Sequence, residues 1–238
     1  MIHIFEGDEQ AQLAQALEDL ERLHDYVAGV IVENYDCGYL DANRATPEIC
    51  DRLLRITKEI VRRSKVPVGV NVLPNDYEQS LRIAHMTNAR FIQVDHVTGK
   101  FIGCESVDPQ HLLSVRATRP HVAVLGGIHP KYYDLFDPNT PLAASAHAAK
   151  GLADAIVVTG EYTGGETNLN DVRTVKEVVP DHPVIVGSGI TIQNVHAQLR
   201  IADGAIVGTA FKKEGVIPGE PIDADLVRRL MDEVAKIR

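Results

Sequence analysis

Eight short runs rich in valine, isoleucine and glycine recur along the chain, and each is followed by a longer stretch with apolar residues at helical spacing. The runs occupy residues 2–5, 28–34, 66–73, 89–97, 121–129, 154–160, 183–189 and 203–210. Such runs, nearly continuous in apolar character, suit strands buried on both faces of a parallel sheet. The intervening stretches at 8–26, 46–64, 76–88, 108–118, 141–150, 168–179, 191–199 and 223–236 read as helices. Leu13, Leu17 and Leu20 in the first, and Leu53, Leu54, Ile60 and Val61 in the second, form stripes that a sheet would cover. Thr46, Asn75 or Asp76, and Thr191 supply capping oxygens at three helix starts.

Eight β-strand and α-helix units in 238 residues predict an α/β fold, a single (β/α)8 TIM barrel over residues 1–238. An open doubly wound sheet is the rival, and it ranks second because no dinucleotide-type glycine fingerprint follows the first strand. The fold expectation directs attention to one face, because barrels carry their chemistry at the C-terminal ends of the strands.

Composition narrows the partners. A hydrophobic share of 45% supports a full core, while a net charge of -9 disfavours a nucleic-acid polymer or an anionic membrane as partner. No apolar run approaches the roughly 18 residues that a spanning helix needs, so no membrane insertion is expected. Cys37, Cys50 and Cys104 have no disulfide or metal spacing, which fits reduced thiols and a cytoplasmic location.

The sharpest local motifs are VIVGSGIT and AIVGTAFK, on the seventh and eighth strands. Each ends an apolar strand in glycine and a hydroxyl residue. Gly187, Ser188 and Gly189, with Gly208 and Thr209, form a candidate phosphate cradle in which backbone amides and hydroxyls converge on an anion. The plain alternative is that these glycines only permit tight turns. Gly160, ending the sixth strand, joins the ligand-binding set, and Lys212 and Lys213 stand near enough in sequence to reach a phosphate.

A second constellation consists of polar residues where apolar strands should end. Glu33 and Asn34, Asn71, Asp95 and His96, His129, and Thr159 all fall at such positions, with His3 in the first strand. Burying these groups is costly unless they pair with one another or with a ligand. Alone, each is as easily a turn clamp or a hydrogen-bonded core residue. Together they make Glu33, Asn71, Asp95, His129 and Thr159 candidates for a catalytic set, with Glu33 or Asp95 as general base and His129 as acid. No HxH or HExxH spacing is present, so no metal is assigned, and the sequence names no cofactor. The loop 161–168, with paired glycines, reads as a lid or a plain surface loop. The aromatics of loop 131–140 either cover a ligand or bury in a contact between copies of the chain, a possible homo-oligomer.

The runs GVIVENYD, VPVGVNVLPND, LADAIVVTG, PVIVGSGIT and DGAIVGTAFKKEG resemble, in order and spacing, the BtpA family of barrel proteins, named for a cyanobacterial factor linked to photosystem I accumulation. The resemblance covers nearly the whole chain. It implies a barrel with a phosphate-type site, and it carries Glu33, Asn34, Asn71, Asn75, Asp76, Thr159, Gly160, Gly187, Ser188, Gly189 and Gly208 over as matching positions. It implies no particular reaction. The first strand, QVDHVTGKF and LGGIHPKYY depart from the family pattern and mark a divergent subgroup. Two functional readings follow. One is an enzyme acting on a small phosphorylated sugar or nucleotide-like ligand by acid/base chemistry; the other is a non-catalytic assembly or regulatory factor that keeps the ligand site.

Overall fold

The computed structural model describes residues 1–35 and 44–237. Cys37 therefore lies outside the described residues. Eight parallel strands run in sequence order, β1 (Ile2–Ile4), β2 (Val30–Asn34), β3 (Val68–Asn71), β4 (Phe91–Val94), β5 (Ala123–Gly127), β6 (Ala155–Val158), β7 (Val184–Val186) and β8 (Gly204–Ala205). They alternate with α1 (Glu9–Leu23), α2 (Pro47–Arg63), α3 (Tyr77–Thr87), α4 (Pro109–Ala117), α5 (Leu142–Ala149), α6 (Leu169–Val178), α7 (Val195–Leu199) and α8 (Ala224–Ala235). This is the (β/α)8 barrel that the alternation predicts.

The sheet curls until its last strand meets its first. The Met1 amine donates to the Val207 carbonyl at 2.7 Å, and the open side of Gly208 lies 3.3 Å from the His3 ring. Outside the sheet, Arg22 of α1 donates to the Ile222 carbonyl at 2.9 Å, and buried Asp19 accepts the Ile222 amide at 2.9 Å. These bonds pin the chain before α8 onto α1.

Two of the three expected caps form, while α7 starts after Asn194 with no side-chain cap from Thr191. Thr46 accepts the Ile49 amide at 3.4 Å, and Asp76 accepts the Gln79 amide at 3.1 Å. Each satisfies a helix-start donor that has no partner inside its helix. The main core lies between strands and helices: Leu20, Leu53 and Ile60 are fully buried there, with Leu13, Leu17, Leu54 and Val61 packed around them. Leu53→Ala is expected to cost about 2–5 kcal/mol in a urea unfolding titration, since Leu53 is fully buried and its truncation leaves a cavity in the core.

A smaller cluster fills the barrel itself. Ile31, Val157 and Ile206 meet Phe91, Leu125 and Ile185 inside the ring of strands. Gly69 makes this possible, because a β-carbon there would stand 2.2 Å from the Phe91 ring. Val157 and Ile206 also line the cavity above, so this plug is the floor of the mouth.

The strands are shorter than the apolar runs that signal them. The run 203–210 contributes only Gly204 and Ala205 to its strand, and the run 183–189 only Val184–Val186. The remaining residues leave the ladder and build the rim. Likewise α7 begins at Val195, after a turn in which Thr191 and Asn194 exchange hydrogen bonds of 2.8 and 3.3 Å. Among the described residues no helix is long and apolar enough to cross a membrane.

Candidate functional site

A cavity of about 180 Å³ opens at the C-terminal ends of the strands. Its walls hold His3, Glu33, Gln93, Asp95 and Thr159 together with Gly187, Ser188, Gly189, Gly208 and Thr209. The polar strand ends and the two glycine motifs thus face one hollow.

Glu33 is a buried carboxyl of this cavity. Asn71 lies behind it, donating its amide to Glu33 Oε2 and, at 2.9 Å, to Gln93 Oε1. Neighbouring strands β2, β3 and β4 place these three side chains in a row, because Glu33 and Asn71 are register partners. Burial and the negative charge of Asp95 push the Glu33 carboxyl up from 4.5 to about 7, against the hydrogen bond from Asn71. Asp95 is likewise held above its ordinary value by burial, which a 3.1 Å hydrogen bond from the Tyr133 hydroxyl opposes. His3 Nε2 sits 3.7 Å from Glu33 Oε1, and burial holds this imidazole well below its usual range, so it is neutral. The Thr159 hydroxyl is buried and bonds to no described residue, as does Asn71 Oδ1. Buried polar atoms without partners are uncommon in folded proteins, and in a cavity they are offered to whatever enters.

The glycine motifs meet across the loop 161–168. Gly189 packs on the backbone of Gly165 and Glu166, while Gly164 packs on Thr209. The amides of Gly189, Ile190, Gly208 and Thr209 and the Thr209 hydroxyl bond to no other described residue. Ser188 differs from the sequence expectation. Its hydroxyl accepts the Gly160 amide at 2.8 Å and donates to the Gly165 carbonyl at 3.1 Å, so its proton is used inside the protein. Gly160 is tied up in the same bond and does not line the cavity.

Three expectations fail on geometry. His129 does not line the cavity; its Nε2 lies 2.9 Å from Ser145 Oγ of α5. Strand β5 ends at Gly127, so the in-and-out alternation that would have turned His129 inward has lapsed two residues earlier. Lys212 and Lys213 also point elsewhere, Lys212 to the Glu220 carbonyl at 2.5 Å and Lys213 to Asp223 at 2.8 Å. Asn34 is a clamp, exchanging bonds of 3.1 and 2.8 Å with the backbone of Leu73, and His96 faces Cys104 at 3.9 Å outside this cavity.

Tyr132 and Tyr133, from the loop 131–140 whose aromatics the sequence offered as a ligand cover or a contact between copies, form the roof with Lys131 and Tyr35, to which the sequence reading gave no role. Tyr132 takes a left-handed backbone (φ 69°), and its hydroxyl accepts the Thr163 amide at 2.9 Å and donates to Thr163 Oγ1 at 3.1 Å. Loop 131–140 therefore latches onto loop 161–168 over the mouth. Gln93 carried the one readable signal, a polar residue inside an apolar strand. Among the described residues, no group of three or more His, Cys, Asp and Glu side chains is arranged to hold a metal ion.

Comparison with known proteins fits this geometry. The BtpA family model matches residues 4–236. This chain belongs to the BtpA family. The photosystem I biogenesis protein BtpA of Synechocystis sp. is 31% identical over 215 residues, covering 88% of this chain and 75% of that protein. An uncharacterised protein of Pyrococcus abyssi is 31% identical and covers 98% of this BtpA-family chain and 91% of its own length. Among solved structures, phosphoribosyl anthranilate isomerase from Thermococcus kodakaraensis superposes with a TM-score of 0.60 at 17% identity, covering 98% of this chain and 97% of that one. A tryptophan synthase alpha-subunit from Pyrococcus furiosus matches with a TM-score of 0.60 at 17% identity, covering 99% and 95%. At that identity the structural likeness shows the barrel fold alone.

Proposed function

We propose that this BtpA-family barrel is an enzyme that binds a small phosphorylated molecule and transfers protons at the molecule's other end. The observation that carries the reading is the sharing of one cavity by two opposed chemistries. On one side four backbone amides and a hydroxyl without partners offer donors to an oxyanion. On the other, two carboxyls are held above their ordinary values.

A phosphate bound at the glycine rim would fix the ligand's orientation, and the reacting atom would then stand over Glu33. Holding a reactant in place in this way removes entropy that a collision in water must supply. A carboxyl that titrates near neutrality is suited to give and take protons at cellular pH, which an ordinary glutamate at 4.5 does poorly. Glu33 is assigned the general base, Asp95 the second acid/base group, and Thr159 and Gln93 hydrogen bonds to the ligand. The neighbouring fold relatives include an isomerase of a phosphoribosyl compound, which agrees with a barrel of this shape serving phosphorylated substrates.

The name of the Synechocystis relative favours a second reading, a biogenesis factor that senses a ligand without turning it over. A thermal-shift screen of sugar phosphates and nucleotides, followed by a turnover assay on every compound that stabilises the protein, separates the two. Stabilisation with turnover supports the enzyme, and stabilisation without it supports the sensor. Gly208→Val probes the rim directly. Its side chain would enter the cavity beside His3, where a β-carbon already stands 3.3 Å from the ring. The expected result is at least a tenfold loss of affinity for phosphorylated ligands with a melting temperature within a few degrees of the wild type. Unchanged affinity would remove the phosphate assignment.

A further inference from the structure

Lys131 is the one lysine or arginine side chain that lines the cavity among the described residues. It follows β5 in the latched loop, between Pro130 and Tyr132, and it forms no ion pair or hydrogen bond with any described residue. Most lysines and arginines that form ion pairs among the described residues do so at the surface of the barrel, as Arg55 does with Glu9 and Lys65 with Asp25. An unpaired ammonium over a hollow that holds two carboxyls is a different arrangement. Its charge reaches Glu33, Asp95 and His3, so it stands toward the acid side of the mouth.

We infer that Lys131 is a further catalytic residue, the counter-charge for an oxyanion that develops at the reacting end of a phosphorylated carbonyl substrate. The inference rests on the phosphate-and-acid reading above and names its substrate class. Two buried carboxyls give the floor of the site no attraction for a negative centre, and the Lys131 ammonium in the same cavity supplies it. When the Glu33 carboxylate removes a proton from the carbon beside a carbonyl, the C–H electron pair becomes the new C=C bond. The carbonyl π pair moves onto oxygen, which becomes an enolate held by Lys131. Where the deprotonated carbon bears a hydroxyl, Asp95 passes that hydroxyl's proton to the enolate oxygen, and return of the carbon-bound proton from Glu33 to the former carbonyl carbon gives the isomeric hydroxycarbonyl compound. No oxidant, water or second substrate enters the balance. Fixed charges aimed at the position where charge develops are among the strongest contributions that an active site makes.

The test uses two probes whose chemistry differs only at that end. Inorganic phosphate occupies the glycine rim alone, whereas phosphoglycolate adds a carboxylate that imitates the planar enolate. Titration calorimetry on the wild-type chain is expected to show phosphoglycolate binding at least tenfold more tightly than inorganic phosphate. Lys131→Met is expected to erase that preference and leave the affinity for inorganic phosphate unchanged, while Lys131→Arg retains part of it. Equal affinity of the wild type for both probes, or a preference that survives in Lys131→Met, overturns the role of Lys131 and leaves the phosphate assignment standing. Absence of binding by either probe overturns the phosphate assignment and this inference with it.

Discussion

Glu33→Gln is expected to make the protein more stable at pH 8, not less, while abolishing its proton transfer. In the folded chain the carboxyl titrates at about 7, above the 4.5 of an unperturbed glutamate. The folded state therefore keeps a proton that the unfolded chain releases between those values. Stability from this group is fully present below pH 4.5 and is lost as the pH rises through 7. A carboxyl raised from 4.5 to about 7 loses on the order of 3 kcal/mol once both states are ionised. Glutamine has the same shape, still accepts from Asn71 through its oxygen, and carries no charge toward Asp95. Urea unfolding of both forms should give equal stabilities near pH 4 and a gap favouring the variant at pH 8. The charged groups that act on Glu33 are Asp95, Lys131 and the Met1 amine, with neutral His3 beside it, and a gap that arose elsewhere in the chain would not change in a Lys131→Met background, which removes one of the groups that favour the ionised form. In that background the pH 8 gap should instead widen. A variant that is less stable than the wild type at pH 8 would show that Glu33 is held as a carboxylate.

The barrel was legible in the sequence because its signal is repeated and local. Each apolar run needs two covered faces and each amphipathic stretch needs one, which a parallel sheet under helices supplies, and eight such units without a dinucleotide-type glycine fingerprint favoured the closed form over the open one. The floor of the site was half legible. Glu33, Asp95 and Thr159 stand where polar residues interrupt apolar strands, so the cost of burying them announced a site. His129 carried the same signal and was misleading. A residue two positions past a strand end keeps no fixed direction, and its imidazole is turned onto Ser145. The glycine motifs announced a rim, yet the sequence could not tell that Ser188 would spend its hydroxyl on Gly160 and Gly165 while Thr209 keeps its own free of described partners. The roof was legible only as one of two alternatives, with the aromatics of loop 131–140 covering a ligand or meeting another copy, and Lys131 carried no signal. Lys131, Tyr132 and Tyr133 lie in a loop without periodicity, and their place over the mouth depends on a left-handed turn at Tyr132 and on bonds to Thr163, a residue 31 positions away.

Gly189→Ala is expected to destabilise the fold by about 2–5 kcal/mol, although it adds a single methyl group. The backbone at Gly189 is left-handed (φ 69°), where a β-carbon costs roughly 1–2 kcal/mol before it touches anything. That carbon would also stand 2.1 Å from the Gly165 carbonyl oxygen and 2.4 Å from Glu166 Cα. Both are backbone atoms, so no side chain can swing aside, and the loop 161–168 must lift from the end of β7; overpacking of this kind adds roughly 1–3 kcal/mol. Gly208 is the contrasting case. Its φ is -125°, and its only close neighbour is the edge of the His3 ring at 3.3 Å, so Gly208→Ala should cost well under the Gly189 value. The two glycines of the rim therefore act in different ways. Gly189 is required to seat the loop that carries Thr163 beneath the Tyr132 latch, and a loss of binding in its variant would report a displaced roof. Gly208 borders the hollow without supporting another segment, and a loss of binding there reports the ligand's own space. Urea titration of the two alanine variants decides the matter: equal stabilities would mean that the loop is not seated on Gly189, and the roof over the cavity would then have to be held by Tyr132 alone.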